Sequence, residues 1–315
     1  MTDRRHANGC STNLRRGDVV AVRSLDEILA TLDADAKCDG LPFMPEMVGC
    51  CGKKFRVFRR AEKTCVEGLG IREMSDAVLL EGLRCDGSAH DGCQRGCTFF
   101  WKNAWLNPQG IDETQASEEP RQDLSACAIR DSSQLPTTKG DHYFCQSTEL
   151  ARATVEFPPG KLQHYLHDWR IGELSLRRFA YVLMLAVANR LWRLFRGRAY
   201  YELAGEQAKT PPARGTLNLQ PGEWVEVKRA AEIEATLDAR GRNRGLSFEP
   251  EMTQHCGRRY RVASRLTRII AEETGKMVEL SDTVLLEGLV CHGYCAMNCP
   301  RANYFYWREI WLKRV

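Results

Sequence analysis

The stretch Cys51-Gly-Lys-Lys-Phe-Arg-Val57 decides the fold, because the chain repeats it as Cys256-Gly-Arg-Arg-Tyr-Arg-Val262 at an offset of 205 residues. Other landmarks recur in the same order around both copies. Leu79-Leu-Glu-Gly-Leu83, for example, returns as Leu285-Leu-Glu-Gly-Leu289 at an offset of 206 residues. The sequence of 315 residues therefore predicts one structural module that is used twice.

Each module shows the pattern of several short strands with one brief helix. In the first copy, apolar residues alternate along 17–22, and Ser24 with Glu27 forms a capping-box helix start. Phe55–Arg60 and Ala77–Leu83 predict further strands. Units of about 90 residues with this composition are typical of small barrels. We predict a mainly β fold with an α-helical connector and two repeated SH3-like barrels.

The domain organisation follows from where the repeat begins and ends. We predict a disordered tail over 1–16, module 1 over 17–108, a linker over 109–160, a helical connector over 161–198, a second linker over 199–221 and module 2 over 222–315.

Composition narrows the class of protein. A hydrophobic content of 43% and a charged content of 27% indicate a globular protein, and a net charge of +4 is too small to imply nucleic acid by itself. Met1–Asp18 has no apolar core of a secretory signal, which predicts a cytoplasmic location. Because cytoplasmic thiols stay reduced, 14 cysteines favour metal binding over disulfides.

The repeat sorts the cysteines into matched sets. Three thiols of module 1 have counterparts in module 2: Cys51, Cys85 and Cys93 correspond to Cys256, Cys291 and Cys299. In each module a Cys-x3-Cys pair adds a fourth thiol, Cys97 in the first and Cys295 in the second. Structural zinc takes four ligands, and a metal supplements the small core of a barrel. We therefore predict two structural zinc ions.

Other ligand sets and other roles stay open at the level of sequence. Cys65 and His90 compete for the site of module 1, while His255 and His292 compete in module 2. The matched cysteines also fit buried apolar residues, and less well disulfides. Cys145 has no counterpart in the repeat and is a candidate nucleophile.

Two further features suggest surfaces for partners. Basic residues alternate along one strand of each module and form a candidate binding face: Lys54, Arg56, Arg60, Arg259, Arg261 and Arg265. A solvated outer face explains the same alternation. The apolar helix within 174–195, flanked by arginines, fits an internal or oligomeric contact better than a membrane surface.

These observations order the functional hypotheses. The leading one is a non-enzymatic binding or scaffold protein that recruits a protein or peptide through two zinc-stapled barrels. The alternative is a nucleic-acid-binding regulator that uses the basic strands. An enzyme with a reactive Cys145 is the third.

Several runs also resemble a bacterial protein family built from two Cys-containing SH3-like modules, for which no activity is established. The runs are Gly40-Leu-Pro-Phe-Met-Pro-Glu-Met47, Leu80-Glu-Gly-Leu-Arg-Cys-Asp-Gly87, Tyr143-Phe-Cys-Gln-Ser-Thr-Glu-Leu150, Gly215-Thr-Leu-Asn-Leu-Gln-Pro-Gly222, Cys299-Pro-Arg-Ala302 and Trp307-Arg-Glu-Ile-Trp-Leu312. The resemblance covers nearly the whole chain. It implies a bacterial cytoplasmic origin and adds no catalytic residue.

Overall fold

The computed structural model describes residues 14–108, 135–157, 161–196, 203–205, 215–294 and 297–315. Nearly all of the predicted disordered tail, at 1–13, lies outside these ranges. So do much of both predicted linkers and the predicted ligand Cys295.

Module 1 folds into short antiparallel strands. Its elements are β1 (Val19–Val22), α1 (Leu25–Leu29), β2 (Lys37–Cys38), β3 (Leu41–Pro42), a 3-10 helix (Pro45–Cys50), β4 (Lys54–Arg60), β5 (Lys63–Val66), β6 (Gly70–Glu73), β7 (Ala77–Arg84), β8 (Thr98–Lys102), a 3-10 helix (Asn103–Trp105) and β9 (Leu106–Pro108). Five strands form a half-barrel sheet in the order β8-β7-β4-β1-β9. Ser24 and Glu27 form the predicted capping box of α1.

Most of the described residues between the modules are helical. It contains β10 (Thr138–Lys139), β11 (His142–Tyr143), α2 (Gln146–Ala153), β12 (Val155–Glu156), α3 (Lys161–Arg170) and α4 (Leu176–Arg196). The predicted helical connector is thus present as two helices joined by a turn. Within the described ranges, no helix is both long enough and apolar enough to cross a membrane.

Module 2 repeats the plan of module 1. Its elements are β13 (Trp224–Val227), α5 (Ala230–Glu234), β14 (Arg242–Asn243), β15 (Leu246–Ser247), a 3-10 helix (Pro250–His255), β16 (Arg259–Arg265), β17 (Arg268–Ile270), β18 (Met277–Glu279), β19 (Thr283–Leu286), β20 (Trp307–Arg308), a 3-10 helix (Glu309–Trp311) and β21 (Leu312–Arg314). Its main sheet has the equivalent order β20-β19-β16-β13-β21. The mainly β fold with a repeated module is confirmed.

The paired tryptophans of each module lie in its core. Trp105 packs edge-on against Phe43 with ring centroids 5.3 Å apart, and Trp311 packs against Phe248 at 5.2 Å. Both indole N–H groups donate to an equivalent threonine hydroxyl at 3.0 Å. All four tryptophans, including Trp101 and Trp307, are fully buried. They stabilise the modules and do not line an exposed groove.

The predicted linker over 109–160 needs correction over 135–157, because α2 is docked onto module 1. The side-chain amide of Gln146 accepts from the backbone N–H of Phe100 at 2.9 Å and donates to the Phe100 carbonyl at 2.8 Å. It therefore satisfies the edge of strand β8 as a neighbouring strand would. A buried ion pair between Lys37 and Glu149, at 2.7 Å, fixes the same helix.

The two modules exchange contacts reciprocally at positions that correspond in the repeat. The backbone N–H of Ile270 in β17 donates to the Cys93 thiol at 3.3 Å. The backbone N–H of Cys65 in β5 donates to the Cys299 thiol at 3.2 Å. Each module thus places a short hairpin against the cysteine loop of the other.

A buried carboxylate joins these two contacts. Glu272 accepts from Arg301 at 2.7 Å, from Arg95 at 3.2 Å and from the Ser147 hydroxyl at 2.9 Å. Burial opposes the charge of Glu272, but the two guanidinium groups, Arg301 first, outweigh burial and hold its pKa below the usual value. Its counterpart in the repeat, Glu67, contacts Arg95 from an exposed position with 52% of its side chain accessible.

This difference predicts unequal effects of two equivalent substitutions. Glu272→Ala leaves two buried guanidinium groups without their shared carboxylate and is expected to lower the free energy of unfolding by about 3–5 kcal/mol. Glu67→Ala removes an exposed pair and is expected to lower it by less than about 1 kcal/mol. Urea denaturation of both variants measures the difference. Equal losses would contradict the central position of Glu272.

Candidate functional site

Four cysteines of the described chain line one cavity at the edge of module 1. Three of them, Cys85, Cys93 and Cys97, belong to the loop between β7 and β8, and Cys145 immediately precedes α2. The cavity measures about 30 Å³, which is enough to hold a water molecule.

The membership of this cavity differs from the predicted ligand set. Cys85, Cys93 and Cys97 were predicted to act together, and the structure brings them to the same cavity. Cys51 is not among its lining residues and packs instead against the hydrophobic core of module 1. Cys145, predicted as a candidate nucleophile, also lines the cavity, because the docking of α2 carries it to the loop.

Backbone amides are directed at the thiols of the cavity. The Ile270 N–H bonds to Cys93 at 3.3 Å, and the Arg95 amide also favours the charged form of that thiol. The Gly87 amide favours the charged form of Cys85 in the same way. Amides of the first turn of α2 favour the charged form of Cys145. Such donors stabilise a thiolate, whether it is free or bound to a metal.

Burial nevertheless favours the protonated forms of Cys85, Cys93 and Cys145. It raises the pKa of Cys145 to about 12 and also raises the pKa values of Cys85 and Cys93. A reactive cysteine requires an accessible thiolate near neutral pH. Cys145 is only 8% exposed, so the geometry argues against its use as a nucleophile.

His90 lines the same cavity but is held by two acceptors. Its Nδ1 lies 2.6 Å from a carboxylate oxygen of Glu46, and its Nε2 lies 3.0 Å from the Phe144 carbonyl. A carboxylate and a carbonyl both accept hydrogen bonds, so this arrangement favours the protonated ring. Burial lowers the pKa of His90, but Glu46 and the carbonyl outweigh it and raise the pKa above its usual value.

Positive charge surrounds the thiols. Arg84, Arg95 and Arg301 all interact electrostatically with Cys97. Arg84 itself binds two backbone carbonyls, those of Gly96 and Ala302, and packs against the ring of Tyr304. Arg95 and Arg301 are paired with the buried carboxylate of Glu272, and Arg95 also pairs with Glu67.

The equivalent region of module 2 is only partly described, because Cys295 lies outside the described ranges. Cys291 accepts from the Gly293 N–H at 3.3 Å, and Cys299 accepts from Cys65 across the module boundary. His255, a competing ligand in the sequence, bonds through Nδ1 to the Tyr260 hydroxyl at 2.7 Å. Burial, followed by Arg258 and His292, lowers the pKa of His255 to about 4, so its ring is neutral.

No three His, Cys, Asp or Glu side chains within the described ranges are arranged closely enough to hold a metal ion as they stand. The predicted zinc ions therefore stay predictions. What the structure does show is the gathering of four thiols at one cavity in module 1.

The predicted basic face is largely engaged in contacts within the chain. Arg56 and Arg261, which are equivalent in the repeat, donate to the carbonyls of the equivalent glycines Gly17 and Gly222. Three others have acidic partners: Arg60 with Glu62, Arg259 with Glu226 and Arg265 with Glu309. Lys54 is exposed. These contacts fit a structural role better than a phosphate-binding stripe.

The sequence contained a signal for residues that its interpretation missed. Glu46 and Glu251 occupy the same place in a repeated Pro-Glu-Met run, and both are buried against the cysteine loop of their module. Glu46 accepts from His90, and Glu251 accepts from the His292 N–H at 2.8 Å. Cys145 carried no comparable signal, because it lies outside the repeat.

Comparison with known proteins gives no assignment. No protein-family model matches the chain, and neither a curated protein nor a solved structure is similar to it. The resemblance to a bacterial family of two-module proteins stays an expectation, and the functional argument depends on the geometry alone.

Folding is predicted to shift the pKa values of the two buried histidines, His90 and His255, in opposite directions. In the folded state, the protonated ring of His90 gains hydrogen-bond acceptors. Its stabilising contribution is therefore fully present below the unfolded pKa of about 6.5, and it is lost as pH rises through the higher folded pKa. His255 is buried neutral, so stability is lost as pH falls from about 6.5 towards its folded pKa of about 4.

An NMR titration of the imidazole protons measures both values, with His90→Gln and His255→Gln as assignments. We expect the His90 signal to move above pH 6.5 and the His255 signal to move near pH 4. The reverse order, or two values near 6.5, would contradict the proposed hydrogen bonding.

Proposed function

We propose that this chain is a non-enzymatic scaffold that recruits a helical segment of a partner protein through helix α4, which two small barrels hold in place. The observation that carries the proposal is an exposed apolar stripe on α4. We call it the α4 seam and define it as Ala180, Met184, Val187, Leu191 and Leu194.

The opposite side of α4 and the turn before it are anchored to both modules. Val182 and Leu185 are buried, and Glu173, just before α4, pairs with the buried Arg59 of β4 at 3.3 Å. Arg178 donates to the His292 carbonyl of module 2 at 2.8 Å and lies over the ring of Tyr294. The helix is therefore fixed along one side, which presents its other side in a constant orientation.

The α4 seam has the spacing of a helix–helix contact. Its residues are separated by four, three, four and three positions, which is the heptad pattern of two packed helices. Met184 is 58% exposed, Val187 53%, Leu191 50% and Leu194 75%. A contiguous apolar surface of this kind marks an interaction site. Trp192 and Phe195 extend the exposed surface at the end of the helix.

Charge indicates which helix the α4 seam accepts. Leu176–Arg196 contains five arginines and no acidic residue. A second copy of α4 would bring arginines against arginines, whereas a helix with glutamates beside its apolar stripe would meet opposite charge. An acidic amphipathic helix is therefore the favoured partner. Anionic lipid shares the charge, so the experiment below compares the acidic peptide with anionic vesicles.

The barrels and their metal belong to the same proposal. In the main sheet of module 1, β1 lies between β4 and β9, and a 3-10 helix precedes β9. In module 2, β13 lies between β16 and β21, and a 3-10 helix precedes β21. This arrangement supports the SH3-like barrel, whose role here is to hold the helical connector. A structural zinc in each module, which the repeated cysteines predict, would serve that purpose.

The competing functions have weaker support. The basic strands, which a nucleic-acid regulator would use, are engaged with glycine carbonyls and carboxylates of the same chain. The candidate nucleophile Cys145 is buried and its pKa is raised to about 12 by burial. The basic strands are therefore poorly placed to bind nucleic acid, and Cys145 is poorly placed to act as a nucleophile.

A designed peptide tests the α4 seam directly. The probe is a four-heptad helix with leucine at positions a and d and glutamate at e and g, and its lysine counterpart serves as the charge control. We expect the full chain to bind the acidic peptide at least about tenfold more tightly than the basic one in fluorescence anisotropy. Val187→Glu combined with Leu191→Glu is expected to weaken binding at least about tenfold.

The matched control is Leu69→Glu, which changes another leucine, 55% exposed, on the surface of module 1. It is expected to bind as the unmodified chain does. Binding that survives the double substitution would refute the proposal. So would self-association of the chain in sedimentation that the double variant abolishes, or tighter binding to phosphatidylserine vesicles than to the acidic peptide.

A further inference from the structure

We propose that module 2 carries a cleft equivalent to the one that α2 fills on module 1, and that this cleft binds a short helix of a partner protein with the pattern of Gln146-Ser-Thr-Glu-Leu150. We call it the module 2 cleft. It consists of Arg242, Gly245, Glu249 and Tyr306 of module 2 with Glu67 and Gly70 of module 1. This surface is separate from the α4 seam and does not depend on the proposed function.

The two modules meet through contacts that correspond in the repeat, so a cleft on one side implies a cleft on the other. Arg95 donates to the Ile270 carbonyl at 3.2 Å, and its counterpart Arg301 donates to the Cys65 carbonyl at 2.6 Å. The reciprocal amide–thiol contacts described above follow the same exchange. Each module therefore meets the hairpin of the other in the same way.

On module 1 the cleft is filled by α2 and the residues before it. Gln146 bonds to both backbone groups of Phe100 at the edge of β8, and Glu149 pairs with Lys37. Leu150 is fully buried in the core of module 1. The helix thus places an amide on a strand edge, a carboxylate on a cation and an apolar side chain in the core.

Two pairs of equivalent glycines show that only one of the two clefts is covered. A Cβ on Gly40 would lie 3.2 Å from the last residue of α2, and one on Gly275 would lie 3.2 Å from His142. On the counterparts Gly245 and Gly70, a Cβ would meet nothing within 4 Å among the described residues. The module 2 cleft is therefore open in the part of the chain that the structure describes.

The exposure of other equivalent residues shows the same difference. Beneath α2, Lys37 is 8% exposed and Met44 is 4% exposed. Their counterparts in module 2, Arg242 and Glu249, are both exposed. Module 2 thus presents to solvent the positions that α2 covers on module 1.

The strand edge of module 2 has no equivalent of Gln146. Tyr306, the counterpart of Phe100, directly precedes β20 and is half-buried. No residue within the described ranges forms a hydrogen bond with its backbone N–H or C=O group. Such groups cost free energy when they are shielded from water without a partner, and a glutamine side chain satisfies both of them in module 1.

The hairpin of module 1 completes the module 2 cleft. Glu67 of this hairpin interacts electrostatically with Glu249, which places the two carboxylates near each other. Its counterpart Glu272 accepts from the Ser147 hydroxyl next to Gln146, whereas Glu67 contacts Arg95 and keeps 52% of its side chain accessible. A serine after the glutamine of a partner helix would therefore find an acceptor in Glu67.

The chemistry of the module 2 cleft indicates what it binds. Arg242 stands in the place of Lys37, so it offers a cation to a glutamate three residues after the glutamine. Glu249 stands in the place of Met44, whose sulfur accepts from the Gln146 N–H at 3.1 Å. A carboxylate is a stronger acceptor for an amide in the first turn of a helix. The favoured occupant is therefore the start of a helix with this glutamine and glutamate.

A separate protein is the favoured source of this helix. The copy of the pattern in this chain is held on module 1 by the ion pair of Lys37 and Glu149, whose side chains are only 9% and 6% exposed. Breaking a buried pair of this kind is strongly unfavourable, so α2 is not free to reach a second copy of the chain.

A peptide with the sequence of Asp141–Glu156 is the probe, titrated against the full chain in fluorescence anisotropy under reducing conditions. We expect one peptide to bind per chain. Gln146→Ala in the peptide is expected to weaken binding at least about tenfold, because the edge at Tyr306 then stays unpaired. Arg242→Glu in the chain is expected to weaken binding at least about tenfold, and Glu149→Lys in the peptide is expected to restore binding to this variant.

The matched control is Arg229→Glu, which makes the same charge change at another exposed arginine of module 2 and is expected to bind the peptide as the unmodified chain does. Val187→Glu combined with Leu191→Glu, which disrupts the α4 seam, is also expected to leave binding of this peptide unchanged. A failure here therefore leaves the proposed function standing.

Four results would overturn the proposal. They are absence of peptide binding, equal weakening by Arg242→Glu and Arg229→Glu, no recovery with the charge-reversed peptide, and self-association of the chain in sedimentation that Arg242→Glu abolishes. The last result would show that a second copy of the chain occupies the module 2 cleft.

Discussion

Two guanidinium groups, one from each module, share the carboxylate of Glu272, and the arrangement of the rest of the chain depends on that contact. Arg95 and Arg301 are equivalent in the repeat, yet both donate to a single acidic residue. This is possible because each module places a hairpin against the cysteine loop of the other. A buried pair of cations requires such a partner. The Ser147 hydroxyl joins the same carboxylate, so α2 is placed by the interface between the modules as well as by module 1.

The thiol cavity is a consequence of this interface. The hairpin of module 2 brings the Ile270 amide to Cys93, while α2 brings Cys145 to the loop that holds Cys85 and Cys97. Neither module builds the cavity by itself. Glu173 and Arg178 attach α4 to module 1 and module 2 respectively, which leaves the α4 seam facing outward. A scaffold that presents one helix in a fixed orientation needs this kind of attachment on both sides.

Sequence predicted the parts of this arrangement that repeat. The doubled landmarks identified the two modules, their strands, and the grouping of Cys85, Cys93 and Cys97. It also predicts Cys51 as a member of this group, whereas the cavity of module 1 is lined by Cys85, Cys93, Cys97 and Cys145. The repeat could not place Cys145 near this loop, because the contacts that dock α2 onto module 1 join residues about a hundred positions apart, such as Gln146 and Pro42. The sequence also could not predict that Glu272 is buried while its counterpart Glu67 is exposed, because only the fold decides which of two equivalent carboxylates is buried.

The measurement that tests the central claim most directly is a double-mutant cycle between Glu272→Ala and Arg301→Ala, with the free energy of unfolding measured by urea denaturation. The account predicts that the two losses are coupled by about 1–3 kcal/mol, because the two side chains form one buried ion pair. Losses that simply add would contradict it.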